Sequence, residues 1–356
     1  MKILVTGVCG FVGSTLAREL LNHEENLQIV GLDNLSRPGS ELNRATLQKC
    51  GVAVKHGDIR NPSDMEALTA VDWVIDAAAN PSVLAGVSNV TSSRQLVEHN
   101  LVGTVNVLEY CKRHSAGFIM LSTSRVYSLS SLVKLPLDVR THAFVPRFNG
   151  ISEPGVTASG ITEVFPTTPP LSLYGSSKLA SEIIALEYGA AFGIPVYINR
   201  CGVLAGAGQF GKADQGIFSY WIHSYCQHRP LKYIGFGGLG YQVRDCLHPK
   251  DLVALLVKQM RASVEKTGRP INVGGGIKNS LSLAQLTEWC ATRFGPHSIF
   301  PDPKERQFDV PWLILNTTSA GELWDWRPLT PLEEILDEIA NHARDNPQWL
   351  DWSEEV

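Results

Sequence analysis

Six short β-branched apolar runs, KILVT, LQIVGL, VAVKHG, DWVIDA, FIMLS and PVYINR, recur through the first 200 residues, with longer amphipathic segments between them. Strands covered on both faces read as continuous apolar runs, and a helix between each pair returns the chain for the next parallel strand. The rhythm predicts an α/β fold, a Rossmann-type doubly wound parallel sheet with helices on both faces. Leu96, Leu101, Val105 and Leu108 fall at near-helical spacing and predict one long crossover helix from Ser92 to His114. Between Tyr127 and Leu171 the pattern dissolves into PLDVRTHAFVPRFNGISEPGVTASGITEVFPTTPP. A tract this long serves either as a lid or as a surface insertion, and both readings stand. Alternation becomes irregular after Arg200, which divides the chain into a first domain over 1–202 and a smaller C-terminal lobe over 203–356. About 241–275 is expected to return to the first domain. From Pro331 to Trp349 a proline start followed by acids predicts a helix.

With 356 residues the chain exceeds the roughly 250–300 at which a single core stops growing, so two lobes sharing one cleft are expected. A net charge of −4 gives no electrostatic reason for a nucleic-acid partner, and any bound phosphate must be held locally. Seven cysteines, scattered singly and without Cys-x-x-Cys, predict neither a disulfide framework nor a zinc site, which fits the reducing cytoplasm. The opening ILVTGVCGFVG is interrupted by glycines and reads as a first strand, not a signal core. No stretch reaches the ~18 apolar residues of a membrane span, so no membrane partner is expected.

TGVCGFVG places Gly7, Gly10 and Gly13 between a strand and an amphipathic helix. Glycines there permit a tight turn and let a pyrophosphate reach the backbone and the helix amides. Asp33 ends the second strand, twenty residues past Gly13, where a carboxylate accepts from both ribose hydroxyls. That favours NAD over NADP, because the acid repels a 2′-phosphate; the Arg37 guanidinium keeps the other reading open. HGDIRN puts Asp58 and Ile59 at the carboxyl edge of the third strand, and DAAAN puts the small Ala77, Ala78 and Ala79 at the end of the fourth. In LSTSRVYS, Ser122 and Thr123 stand where the fifth strand runs into the cleft. In LSLYGSSKLASE, Tyr174 and Lys178 share one helix face, so the ammonium is expected to lower the phenol from its free value of ~10 toward neutrality. A phenolate beside a nicotinamide takes a proton from a sugar hydroxyl while the ring takes the hydride. Cys201, past the sixth strand, either lines the nicotinamide pocket or is a buried free thiol. His223, Cys226 and His228 do not align on one helix face, so no metal is expected. Trp324 and Trp326 read as an aromatic plug on the core.

Taken in order, TGVCGFVG, DNLSR, HGDIR, the Ser/Thr before VY, and YGSSK resemble the extended short-chain dehydrogenase/reductases of the nucleotide-sugar epimerase and dehydratase group. GQFGKADQGIFSYW, GYQVRDCLHPKDLV and PINVGGGIKNSLSLAQL resemble a branch of that group, epimerases acting on a CDP-linked sugar. The resemblance implies Tyr174 as catalytic acid/base, Lys178 as the residue that binds ribose and tunes it, and Thr123 as the partner of the reacting hydroxyl. It implies NAD contacts from Gly7, Gly10, Phe11, Val12, Gly13, Asp33, Asn34, Ser36, Arg37, Asp58, Ile59, Ala77, Ala78, Ala79, Asn100, Ser122 and Cys201. Facing the nucleotide-diphosphate sugar it implies Thr123, Ser124, Gln209, Asp214, Gln215, Arg244 and Arg306, with an internal Arg244–Asp245 ion pair as the other reading of Arg244. Dehydratases of the group carry an acidic pair directly after the catalytic threonine. Ser124 and Arg125 stand there instead, so the elimination of water lacks its acid and base, and epimerisation by oxidation and re-reduction is implied. A dehydratase, a dehydrogenase that releases NADH, and a non-catalytic NAD-sensing regulator are the alternatives. Two departures from the group are visible: Asp309-Val310-Pro311 lacks an arginine expected two residues past the aspartate, for which Arg306 would compensate, and the 128–171 tract is long. Relatives pair through two long helices, so 92–114 and 172–192 are expected to build a homodimer or homotetramer.

Overall fold

The six runs predicted as strands, joined by a seventh strand at Ile271–Val273, form one parallel sheet: β1 (Lys2–Thr6), β2 (Gln28–Asp33), β3 (Ala53–His56), β4 (Trp73–Asp76), β5 (Gly117–Thr123), β6 (Val196–Cys201) and β7 (Ile271–Val273). The structure, a computed structural model, describes residues 1–87, 92–213, 215–262 and 268–354. Strand order is β3-β2-β1-β4-β5-β6-β7, with every neighbouring pair parallel. The order reverses between β1 and β4, and ligands of open α/β sheets bind beyond the strand ends at such a point. Every residue of β4, β5 and β6 is buried, which is why these runs lack polar alternation. Their side chains feed two apolar clusters. Ile3, Val5, Ile75 and Tyr197 face one, and Leu4, Val74, Phe118 and Met120 face the other. Trp324 and Trp326 close the first cluster, where the Trp326 indole donates to the Asp251 carbonyl at 2.7 Å.

Three helices position the site. α1 (Phe11–His23) follows the glycine turn. The expected crossover helix is Ser93–Val97, a π turn at Glu98–Val102, and α2 (Gly103–His114). Periodicity hides the extra residue of a π turn, and such turns gather at functional sites. Here it buries Asn100, whose side chain accepts from the Asn80 amide at 2.8 Å and donates to its carbonyl at 3.0 Å. α3 (Leu173–Phe192) starts at Ser172, whose hydroxyl accepts the Gly175 amide, and stops at Gly193 in the left-handed region.

The second lobe is built on Val243–Leu247, paired in parallel with Val203–Leu204 and Trp312–Leu313 and antiparallel with Ser280–Ser282. The expected return to the first domain at about 241 is thus displaced: Val243–Leu247 belongs to the smaller sheet because its partners lie there. The chain comes back with α5 (Leu252–Met260), whose Leu252, Leu255 and Leu256 join the cluster under α1, and then with β7. Ahead of α5, α4 (Ile217–Cys226) packs in the lobe core with α6 (Leu283–Phe294) and α7 (Leu332–Asp345). α7 begins after Pro331 with Glu333 and Glu334 in its first turn, as the tail pattern predicts.

The 128–171 tract folds into a short helix, Leu129–Val133, and two hairpins, Leu137–Arg140 with Ala143–Pro146 and Val156–Thr157 with Gly160–Ile161. It is sewn to the second lobe. Ile161 donates to the Ile314 carbonyl at 2.7 Å and accepts from the Asn316 amide at 2.9 Å, and Phe144 donates to the Tyr241 carbonyl. Leu132, Leu135, Ile161 and Phe165 share a cluster with Val243, Trp312, Leu313 and Leu315.

Candidate active site

The carboxyl ends of β1, β2, β4, β5 and β6 open into one cavity of about 450 Å³, walled on its other side by the second lobe. No residue of the 128–171 tract lines it, whereas Leu129 and Leu132 of that tract and Leu171 line a small adjoining pocket with Ser124, Arg125 and Phe308, so the tract stands behind this wall. Gly7, Gly10, Phe11 and Val12 form its floor. Gly7 has φ +64°, and a Cβ on Gly13 would stand 2.2 Å from the Gly7 carbonyl oxygen, so the turn and the helix lock together only as glycines. Gly13 therefore packs beneath the floor without lining it. α1 has no side-chain cap at Gly10, which leaves its first amides facing the cavity. The Asp33 carboxylate is fixed by the Cys9 and Leu35 amides, each at 2.8 Å, with lone pairs left for a ligand. Burial pushes its carboxyl up, and those amides pull it back down.

Asn34, Ser36, Arg37, Ile59, Ala77, Ala78 and Ala79 complete this end. Asp58 and Asn100 do not line it. Asp58 accepts from Arg60 and from the Asn34 amide group at 2.9 Å, and Asn100 props the Asn80 loop, so both shape the wall from behind. Arg37 reaches across the mouth to the other lobe, donating to Gln215 Oε1 at 2.8 Å and to the Phe210 carbonyl at 2.5 Å. Trp349 adds an indole bond to the Gln209 carbonyl at 2.9 Å and stacks on Phe210 at 5.1 Å. Gln209, Phe210, Ala213, Gln215 and Gly216 thus line a strap that closes the mouth beside Asp33 and Arg37. Asp214 lies outside the described residues.

At the opposite end Thr123, Ser124, Arg125, Tyr174 and Cys201 line the wall. Tyr174 is hydrogen-bonded to Thr123 through its phenol. Burial pushes it above its ordinary value, the nearby Cys201 thiol adds to the rise, and only Thr123 and the Arg125 guanidinium oppose it. Lys178, one turn along α3, is buried and does not line the cavity; burial pushes its ammonium down, and Asp76 and Glu182 push it back. Ser122 lines the cavity but donates its hydroxyl to Glu182 Oε1, tying it into the strand packing. Cys201 is buried, lines the cavity, and has its thiol pushed up to about 12 by burial.

The nucleotide-sugar candidates Gln209, Gln215, Arg244 and Arg306 all line the cavity. Arg244 pairs with Asp309 at 2.6 Å, not with Asp245. Neighbours on a strand point to opposite faces, so Asp245 turns instead toward the amides of Gly276 and Leu315. Arg306 donates to the Ala213 carbonyl at 2.8 Å. Sequence reasoning missed Arg125, Phe210, Phe308 and Asp309 as wall residues. Arg125 stood in a stretch already singled out for what it lacked, and Arg306-x-x-Asp309 was a readable pair; nothing local pointed to the two phenylalanines. His223 Nε2 faces His342 Nδ1 at 3.3 Å, whereas His228 packs against His297, so these rings serve separate contacts.

A glycine turn with open amides, a fixed carboxylate at the second strand, and a Tyr–Thr pair at the fifth now stand around one cavity. The model of the NAD dependent epimerase/dehydratase family matches residues 3–274. The chain belongs to that family. NAD is accordingly its cofactor, and the uncapped amides of α1 and the Asp33 carboxylate fit a dinucleotide. Over 343 residues the chain is 29% identical to the CDP-paratose 2-epimerase of Salmonella typhi, spanning 92% of this chain and 95% of that one. It is 26% identical to the UDP-glucuronate 4-epimerase of Thermodesulfobacterium geofontis, spanning 96% of each. Among solved structures, the UDP-glucuronic acid 4-epimerase of Bacillus cereus, in complex with UDP-glucuronic acid and NAD, superposes with a TM-score of 0.76 at 24% identity. The match covers 97% of this chain and 99% of that one.

Proposed function

We propose that the protein is a nucleotide-sugar epimerase that oxidises and re-reduces one ring carbinol, of the type represented by CDP-paratose 2-epimerase. The observation that carries this reading is the wall Thr123–Ser124–Arg125 beside Tyr174. It holds no carboxylic acid, and Asp309, the acid at this end among the described lining residues, is engaged by Arg244. Elimination of water needs an acid to protonate the leaving hydroxyl, whereas epimerisation needs only a group that moves the carbinol proton. When bound, NAD supplies reversible hydride acceptance. Gly7, Gly10, Phe11, Val12 and Asp33 would hold its pyrophosphate and adenosine ribose. Tyr174 would take the carbinol proton and return it, with Thr123 orienting the hydroxyl. Arg244 and Arg306 offer the fork that grips a diphosphate. All of this suits the cytoplasm, where nucleotide sugars are made and where seven free cysteines persist.

Purified without added cofactor, the protein is expected to carry NAD and to convert CDP-paratose with no solvent deuterium entering the inverted carbon. UDP-glucuronate and dTDP-glucose complete the panel. Solvent label in the product, a 4-keto-6-deoxy product, or accumulating free NADH each overturns the reading. A second copy of the chain is the proposed protein partner, supported by exposed Val97, Val102 and Ile183 on the two helical segments named above. A monomer mass by sedimentation velocity excludes that pairing.

A further inference from the structure

Phe308 is a bulky residue at a position that suits glycine. It is the third residue of the turn Arg306–Asp309, which the Asp309 amide closes on the Arg306 carbonyl at 3.3 Å, and its φ is +58°. Left-handed backbone there ordinarily takes glycine, because a Cβ crowds the following carbonyl. Three contacts hold the conformation. Arg125 donates to the Phe308 carbonyl at 3.1 Å, Arg244 pairs with the Asp309 carboxylate at 2.6 Å, and that carboxylate accepts the Val310 amide at 2.9 Å. Backbone strain persists where the surroundings over-determine it, and such residues gather at ligand sites.

The core does not repay this strain. Among the described residues two other large apolar side chains have positive φ, Leu35 and Phe236. Leu35 packs against the first apolar cluster, and Phe236 meets Phe144 edge to face at 5.9 Å. Phe308 is half-buried and belongs to no apolar cluster among the described residues. Of the three it is the one that lines the cavity. Ser124, Arg125 and Phe308 line both the cavity and the small pocket behind it, so they divide the two spaces, and Phe308 is the apolar member of that partition. The partition stands at the end that holds Thr123 and Tyr174: Ser124 follows Thr123 directly, and Ser172, which caps α3 ahead of Tyr174, lines the small pocket.

We propose that Phe308 is a specificity-determining residue, which makes the sugar end of the cavity selective for deoxygenated sugars. A sugar hydroxyl turned against the phenyl ring loses its water and gains no hydrogen bond, whereas a hydrogen or a methyl group there loses nothing. An apolar wall of this kind rejects an added hydroxyl by roughly ten- to a hundredfold. Glycine would make the easier turn, but it would open the partition and join the two spaces. The proposal deepens the epimerase reading and rests on it for the place of the carbinol beside Tyr174.

The test is equilibrium binding of three probes to the NAD-loaded protein: CDP-paratose, whose hexose lacks two hydroxyls, CDP-glucose, which has them, and CDP alone. The native protein is expected to bind CDP-paratose at least about tenfold more tightly than CDP-glucose. Phe308→Gly should bring the two within about threefold and leave CDP unchanged, while Phe308→Leu, which keeps an apolar wall, holds most of the native ratio. The urea midpoint of Phe308→Gly should be no lower than native, because the turn favours glycine. A native ratio retained by Phe308→Gly overturns the proposal, and a lowered midpoint beside it would make the ring a packing element. An equal loss of CDP binding overturns it too, by placing the ring against the nucleotide. Should neither CDP-linked sugar bind the native protein, the CDP reading is what fails, and dTDP-6-deoxyglucose against dTDP-glucose puts the same question to Phe308.

Discussion

Asp245 follows a cleft arginine and never reaches the cleft. It is 1% exposed, its nearest amides stand at 3.5 Å, and burial pushes its carboxyl from the usual 3.8 up to about 6. The folded protein thus keeps this proton to a higher pH than the unfolded chain does. Below both values the group has no effect on stability. Between about 4 and 6 the unfolded chain ionises first and stability falls with rising pH, and above about 6 the loss is complete. At about 1.4 kcal/mol per unit the total is about 3 kcal/mol. Asp245→Asn should remove that fall, as urea unfolding at the two ends of the window would show; an equal fall in the variant excludes Asp245 as its source. At this scale the sequence was informative about identity and poor about partners. Tyr174, Thr123, Asp33 and the glycine turn stood out through short local motifs, each at a strand end or a helix start. The Arg244–Asp309 pair could not, because it joins positions 65 residues apart. Nor could the burial that raises the Tyr174 phenol, which depends on the lobe laid over it.

Between β5, α3 and β6 a polar seam runs through an otherwise apolar layer. Glu182 accepts from Ser122 and in a fork from Arg200, whose other arm reaches the Tyr127 hydroxyl at 3.4 Å; that hydroxyl donates to Asn272 Oδ1 at 2.6 Å on β7. Arg200 and Glu182 side chains are 8% and 2% exposed, so neither charge has water to fall back on. Glu182→Ala is expected to lower unfolding stability by roughly 3–5 kcal/mol by denaturant titration, because it strands a buried guanidinium. Ser122→Ala, which removes one donor from a carboxylate that keeps its Arg200 fork, should cost roughly 1.5–3 kcal/mol. A Glu182→Ala loss no larger than that of Ser122→Ala would show the seam to be dispensable. Strands and helices were legible here through their apolar runs. The seam's polar members were not, since Glu182 and Arg200 read locally as ordinary solvated charges.

Taken as a whole molecule, the halves are joined twice. The 128–171 tract ties the far side through Ile161, Ile314 and Asn316, and Arg37 ties the mouth through Gln215 and Phe210 of the strap, which Trp349 braces from within its own lobe. Trp349 is not among the cavity-lining residues, so Trp349→Ala loosens the strap without touching a ligand wall. Losing its hydrogen bond and ring contact should speed exchange of bound NAD for labelled NAD by at least about tenfold. Unchanged exchange would mean the strap does not retain the cofactor. Neither tie was visible in the linear pattern, because both are made by loops whose partners lie on the other side of the cleft.

An enzyme that keeps its dinucleotide behind such a strap carries a private redox store, insulated from the ratio of oxidised to reduced coenzyme in its surroundings. On the proposed epimerase cycle, a turnover that aborts after the first hydride leaves that store in the wrong state, and no fresh molecule arrives to reset it. Long-term activity would then be governed by how seldom the oxidised intermediate escapes, which makes the fit of the sugar pocket a determinant of lifetime as well as of selectivity.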